Sequence, residues 1–78
     1  MPRYFFDVHD GKFSPDEVGV ELEDADEARK QVWATLPMLA AHRHPNGSMG
    51  CQLRMDVRGE AGNHLYHAAL TLVIERAT

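Results

Sequence analysis

Apolar and polar residues alternate at both ends of this chain, and between those ends the pattern switches to steps of three and four. In Arg3-Tyr4-Phe5-Phe6-Asp7-Val8-His9 the aromatic and branched residues favour a strand, and a period of two sets Tyr4, Phe6 and Val8 on one face. Asp10-Gly11 marks a turn, and Ser14-Pro15-Asp16 prolongs the connection. Val18, Val20 and Leu22 then alternate with Gly19, Glu21 and Glu23, which predicts a short second strand at a sheet edge.

A helix is predicted from residue 24 to about residue 42. Asp24 suits the N-cap, Glu27 stands at capping-box spacing, and Asp24, Asp26 and Glu27 complement the positive end of the helix dipole. Ala25, Ala28, Val32, Leu36 and Leu39 form one apolar stripe, flanked by Trp33 and Ala40. Pro37 removes a backbone donor inside that pattern, so a kink or an early end is expected near Thr35 and Leu36. Pro45-Asn46-Gly47 closes the segment in any case.

The last two strands, residues 51–58 and 64–74, read as a hairpin with Ala61-Gly62 at the turn centre. Pairing Glu60 with Asn63 sets Val57 opposite Tyr66, Met55 opposite Ala68, Leu53 opposite Leu70 and Cys51 opposite Leu72, all on the core face. The outer face then carries Arg58 opposite Leu65, Asp56 opposite His67, Arg54 opposite Ala69 and Gln52 opposite Thr71. A slip of one residue would turn the apolar set of one strand to the wrong side. A right-handed crossover through the helix leaves room for the first strand between the second and third. The expected fold is α+β: β-β-α-β-β in one domain spanning residues 1–78, with a four-stranded antiparallel sheet in the favoured order 2-1-3-4, the alternative setting the long fourth strand beside the first, and the helix on one face.

At 78 residues the domain sits near the lower size for a core without disulfides, metal or a partner subunit, so self-association is expected. Eight basic residues against twelve acidic ones give a formal charge of −4, which argues against a phosphate-binding face unless Arg3, Arg54, Arg58 and Arg76 cluster. One cysteine, Cys51, excludes an intramolecular disulfide, and no apolar stretch is long enough for a signal peptide or membrane span. A cytoplasmic location and no membrane association are the expectations.

The opening Met1-Pro2-Arg3-Tyr4-Phe5-Phe6-Asp7-Val8-His9-Asp10-Gly11 resembles the M-P-R-Y-F-F-x-V-x-D-G opening of a family of short bacterial proteins of unknown function. The likeness continues through Asp16-Glu17-Val18-Gly19-Val20-Glu21-Leu22 and the Ala28-Arg29 helix start, and returns in Leu70-Thr71-Leu72-Val73-Ile74-Glu75-Arg76. The resemblance implies a compact stand-alone domain and no chemistry. Pro37 and His42-Arg43-His44-Pro45 depart from the usual helix of such proteins.

Five histidines raise metal binding as one reading. His42 and His44, two apart on a helix, point roughly 200° from each other, and His64 and His67 are expected on opposite faces of the last strand. No cofactor or metal is therefore expected. Cys51, placed in the core beside Leu72, lacks the neighbouring base a thiolate nucleophile needs. Asp56 and His67 form a cross-strand pair able to couple electrostatically, and Asp7 and His9 share their face, but nothing completes a catalytic set. The glycines show no phosphate-binding pattern.

What stands out is apolar character on the outer sheet face, where Phe5, Leu65, Ala69 and Val73 alternate outward. The sequence therefore supports a non-enzymatic interaction domain that forms a homodimer or binds a protein partner through its open face or an edge. The expected contact residues are Phe5, Leu65, Ala69 and Val73, surrounded by Asp7, Arg54, Asp56, Arg58 and His67. Alternatives are an antitoxin-like regulatory nucleic-acid-binding module, by fold analogy, and a small metal binder using surface histidines.

Overall fold

The computed structural model describes residues 1–43 and 49–77. The fold is α+β, with the elements β1 (Arg3–His9), β2 (Phe13–Ser14), β3 (Val20–Glu21), α1 (Ala25–Arg43), β4 (Gly50–Arg58) and β5 (His64–Val73). All strand pairs are antiparallel. The order is β2-β1-β4-β5, and β3 pairs with β1 as well. The predicted second strand shortens to β3, and Phe13–Ser14, expected in the connection before Pro15, makes a further short pairing on the same edge of β1.

Two packed clusters join the sheet to α1. Val8, Leu53 and Met55 enclose Leu36, and Tyr4 and Val57 enclose Ala28. Leu53, Met55 and Val57 are fully buried, as alternation in β4 requires. Asp24 caps α1: its carboxylate accepts the Glu27 amide at 3.0 Å, and its carbonyl accepts that of Ala28 at 3.3 Å. Glu27 turns outward to Lys30 instead of closing the reciprocal bond of a capping box.

Pro37 does not end the helix, which continues to Arg43. Six more residues follow the proline, of which Leu39 and Ala40 pack on the core and repay the lost backbone bond. The expected stop at Pro45-Asn46-Gly47 and the position of His44 lie outside the described residues.

The hairpin register holds from Cys51↔Leu72 through Val57↔Tyr66, and then departs: Arg58 pairs with His64, not Leu65. The turn is one residue longer than expected. Gly59 donates to the Asn63 carbonyl at 2.9 Å, and Gly62, at φ 85°, donates back to the Gly59 carbonyl at 3.0 Å. A two-residue loop of the usual kind would require Ala61 as well as Gly62 to adopt positive φ, whereas this loop asks it of the glycine alone. The odd loop length reverses side-chain parity at His64, and a bulge at Leu65 restores it by Tyr66.

Candidate functional site

The segment between β1 and β3 folds back along β1, and its anchor is Asp16. Between the residues paired with β3 and those paired with β2, the Phe6 amide has no strand partner, and the Asp16 carboxylate accepts it at 3.1 Å. The other oxygen of Asp16 accepts the amides of Val18 and Gly19, both at 3.0 Å. Asp16 in turn donates its own amide to Asp7 at 2.8 Å. One side chain thus replaces the missing rung of a strand.

Asp7, only 3% exposed, receives the Arg58 guanidinium in a two-pronged pair, Nε to Oδ2 at 2.6 Å and Nη2 to Oδ1 at 3.1 Å. Arg58 also donates to the Asp16 carbonyl at 3.0 Å and lies 5.0 Å over the Phe5 ring centroid. Arg3 closes the far end through Val18 at 2.8 Å and Glu21 at 3.3 Å. Gly19, at φ 76°, sits where a Cβ would meet Arg3 Cγ at 2.7 Å and the Phe5 ring at 2.9 Å. Arg3, Phe5, Asp7, Asp16 and Gly19 of the two recognisable sequence stretches are therefore the parts of one clamp.

Burial alone would raise the Asp7 carboxyl, yet the bonds from Arg58 and the Asp16 amide hold it below the ordinary value of 3.8. Burial likewise opposes Asp16, and the amides of Gly19, Phe6 and Val18 bring it below that value. A carboxyl whose folded pKa is depressed contributes stability above its unfolded pKa and loses it as pH falls through the folded one. Thermal melting should accordingly be steady from neutral pH to about pH 5 and fall steeply below about pH 4, while Asp16→Asn flattens the acid limb. A melting temperature unchanged between pH 6 and pH 3 would contradict this assignment.

A second cluster lies farther along the same face. Asp56 stands directly opposite Asp7 across the β1–β4 ladder, an arrangement that repels unless each carboxylate has its own compensation. His9 Nε2 donates to Oδ2 of Asp56 at 3.1 Å, and His67 Nδ1 donates to Oδ1 at 2.8 Å. The bond from His67 is the largest cause that lowers the Asp56 carboxyl; burial opposes it and His9 adds to it. Arg54 Nη2 is 4.0 Å from Oδ1.

The predicted Asp56–His67 pair is present, and His9 joins it. His64 and His67 do not stand on opposite faces. The bulge turns His64 to the outer side, where its ring stacks on His67 with centroids 5.4 Å apart and planes at 23°. One atom each from Asp56, His64 and His67 lies within 4.8 Å of the others, a set able to hold a metal ion. Gly62 was the signal for this in the sequence, since a single glycine at that place favours the three-residue loop that reverses His64.

The outer face is less apolar than its alternation suggested. Phe5 is half-buried beneath Arg58 and beside Gly19, and Asp7 is sealed. Leu65, the extra residue of the bulge, joins Tyr66 against the Tyr4–Val57 cluster, so its expected outward position is overturned. Ala69 and Val73 are exposed, as are Arg54 and His67. Arg3 and Arg58 are held by acidic partners, so these two do not gather into a free basic patch.

Large apolar side chains are exposed at both sides of the sheet, Phe13, Val18 and Val20 along the β1 edge and Leu72 and Val73 on β5. Leu72 and Val73 are 51% and 65% exposed, and an apolar groove of about 330 Å³ runs between β5 and α1, lined by Val32, Trp33, Leu36 and Pro37 from the helix and Ala68 and Leu70 from the strand. Trp33 is 76% exposed at its rim. Cys51 is half-buried and packs against the core. No helix among the described residues is long and apolar enough to cross a membrane.

No match to this chain was found among curated proteins or among solved structures. The family described as "Domain of unknown function (DUF6894)" matches residues 3–71, a span that takes in the clamp, the histidine cluster and nearly all of the hairpin. With this coverage the chain belongs to the DUF6894 family of domains of unknown function.

Proposed function

We infer that this domain is a non-enzymatic interaction module that forms a homodimer by pairing β5 with β5 of a second copy. The observation that carries this reading is the edge of β5, which pairs with no other strand among the described residues. That strand ends the sheet order, and its ten residues, His-Leu-Tyr-His-Ala-Ala-Leu-Thr-Leu-Val, include no proline, lysine, arginine, aspartate or glutamate. Edges left to solvent are normally blunted by such residues or by a bulge, and here the bulge lies only at the turn end.

An antiparallel copy satisfies the outward amides and carbonyls of the strand, and two-fold symmetry makes the edge complementary to itself. The same approach covers the groove beside Trp33, which runs between α1 and β5. The clamp supports an edge contact over a face contact, since it covers Phe5 and Asp7.

Sedimentation velocity of the intact chain should show a dimer at micromolar concentration. Near the two-fold axis a residue faces its own copy, so Ala69→Lys combined with Trp33→Lys sets like charges against each other and yields a monomer. Arg54→Glu, on the outer face of β4 one strand in from this edge, leaves the dimer unchanged. A monomeric wild type, or a dimer lost in Arg54→Glu but kept in the double variant, would overturn the reading.

A further inference from the structure

We propose that Asp56, His64 and His67 form a binding site for one divalent transition-metal ion of the zinc class on the outer face of the hairpin. The ligand atoms of the three residues lie within 4.8 Å of one another, and tetrahedral coordination by nitrogen and oxygen at 2.0–2.2 Å brings such atoms to roughly 3.4 Å apart. Small rotations of the two exposed imidazoles close that difference.

The carboxylate is the fixed point. Asp56 is buried in the β4 ladder, and His9 holds its second oxygen at 3.1 Å, the outer hydrogen bond that orients a carboxylate ligand. His67 already reaches the first oxygen at 2.8 Å. His64 is present on this face only because the bulge puts it there, and its ring is stacked on a second imidazole over the solvent.

Donor chemistry selects the ion. Two imidazole nitrogens and one carboxylate oxygen suit Zn²⁺, Co²⁺, Ni²⁺ or Cu²⁺, whereas Mg²⁺ and Ca²⁺ require oxygen ligands and Cu⁺ prefers sulfur. The outer side remains open for water as a fourth ligand. Arg54, 4.0 Å from Asp56, is exposed and turns aside as the ion enters. The ion ties β4 to β5 across the bulge.

The test is calorimetric titration of the untagged chain with Zn²⁺, together with Co²⁺ absorption spectroscopy. One ion per chain should bind, the Co²⁺ complex should show the visible bands of a four-coordinate site, and melting temperature should rise with Zn²⁺ concentration. His64→Gln and His67→Gln should each weaken binding at least tenfold, and His9→Gln by about tenfold through loss of orientation, all with unchanged circular dichroism. His42→Gln should bind as the wild type does. Absence of binding to the wild type overturns the proposal, as does binding that survives both His64→Gln and His67→Gln or is lost in His42→Gln.

Discussion

Asp7→Asn should lower the unfolding free energy by about 3 kcal/mol, a large share of the roughly 4–12 kcal/mol expected for a domain of this length. The two oxygens of Asp7 accept three donors, Arg58 Nε and Nη2 and the Asp16 amide. An asparagine presents one oxygen and one NH₂, so in either orientation a donor is set against a donor in a buried place. The Asp16 amide, once unpaired, also releases the loop that carries Val18 and Gly19. Urea denaturation of the purified variant measures the loss, and hydrogen exchange at Phe6 and Gly19 reports the loosened clamp. A loss below about 1 kcal/mol would mean that the pair behaves as an exposed one.

Leu53→Ala should cost about 3 kcal/mol and Leu72→Ala less than about 1 kcal/mol, although the two leucines project from the same side of the hairpin. Leu53 is fully buried between Val8, Met55 and Leu36, so truncation removes its transfer free energy and leaves a cavity under the helix. Leu72 is half exposed beyond the end of the helix contact. Denaturant midpoints under conditions that hold the assembly monomeric, such as the Ala69→Lys, Trp33→Lys background, separate the two effects. Equal losses for the two leucines would show that the core extends farther along β5 than the packing indicates.

The contrast between these leucines shows how far pattern reading reaches. Alternation placed Leu53, Met55, Leu70 and Leu72 on one face, and that register is the one observed. How deeply each is buried depends on where α1 ends and which strands it crosses, and no period in the sequence contains that distance. Pro37 illustrates the same limit: its local cost was legible, whereas the packing beyond it that carries the helix to Arg43 is a tertiary gain.

The candidate sites divide along the same line. Asp56 and His67 were visible as a cross-strand pair because both lie in the regular part of the ladder, where parity is dictated by the core. His64 was assigned to the wrong face because a single extra residue in a turn inverts everything up to the next bulge. His9 and Asp56 are 47 positions apart, and Asp7 and Arg58 are 51 apart, so only the alignment of β1 on β4 brings them together.

By itself, then, the order of residues determined the elements, their core faces and the antiparallel sequence of strands, because periodicity and capping act over a few positions and hydrophobic burial then allows few arrangements. Tertiary structure alone decided that Asp16 would stand in for a strand rung, that the outer face would be sealed over Phe5 and Asp7, and that three histidines would gather around one aspartate. Those outcomes depend on polar groups meeting across long separations, where a shift of one residue or about one ångström determines whether a hydrogen bond forms.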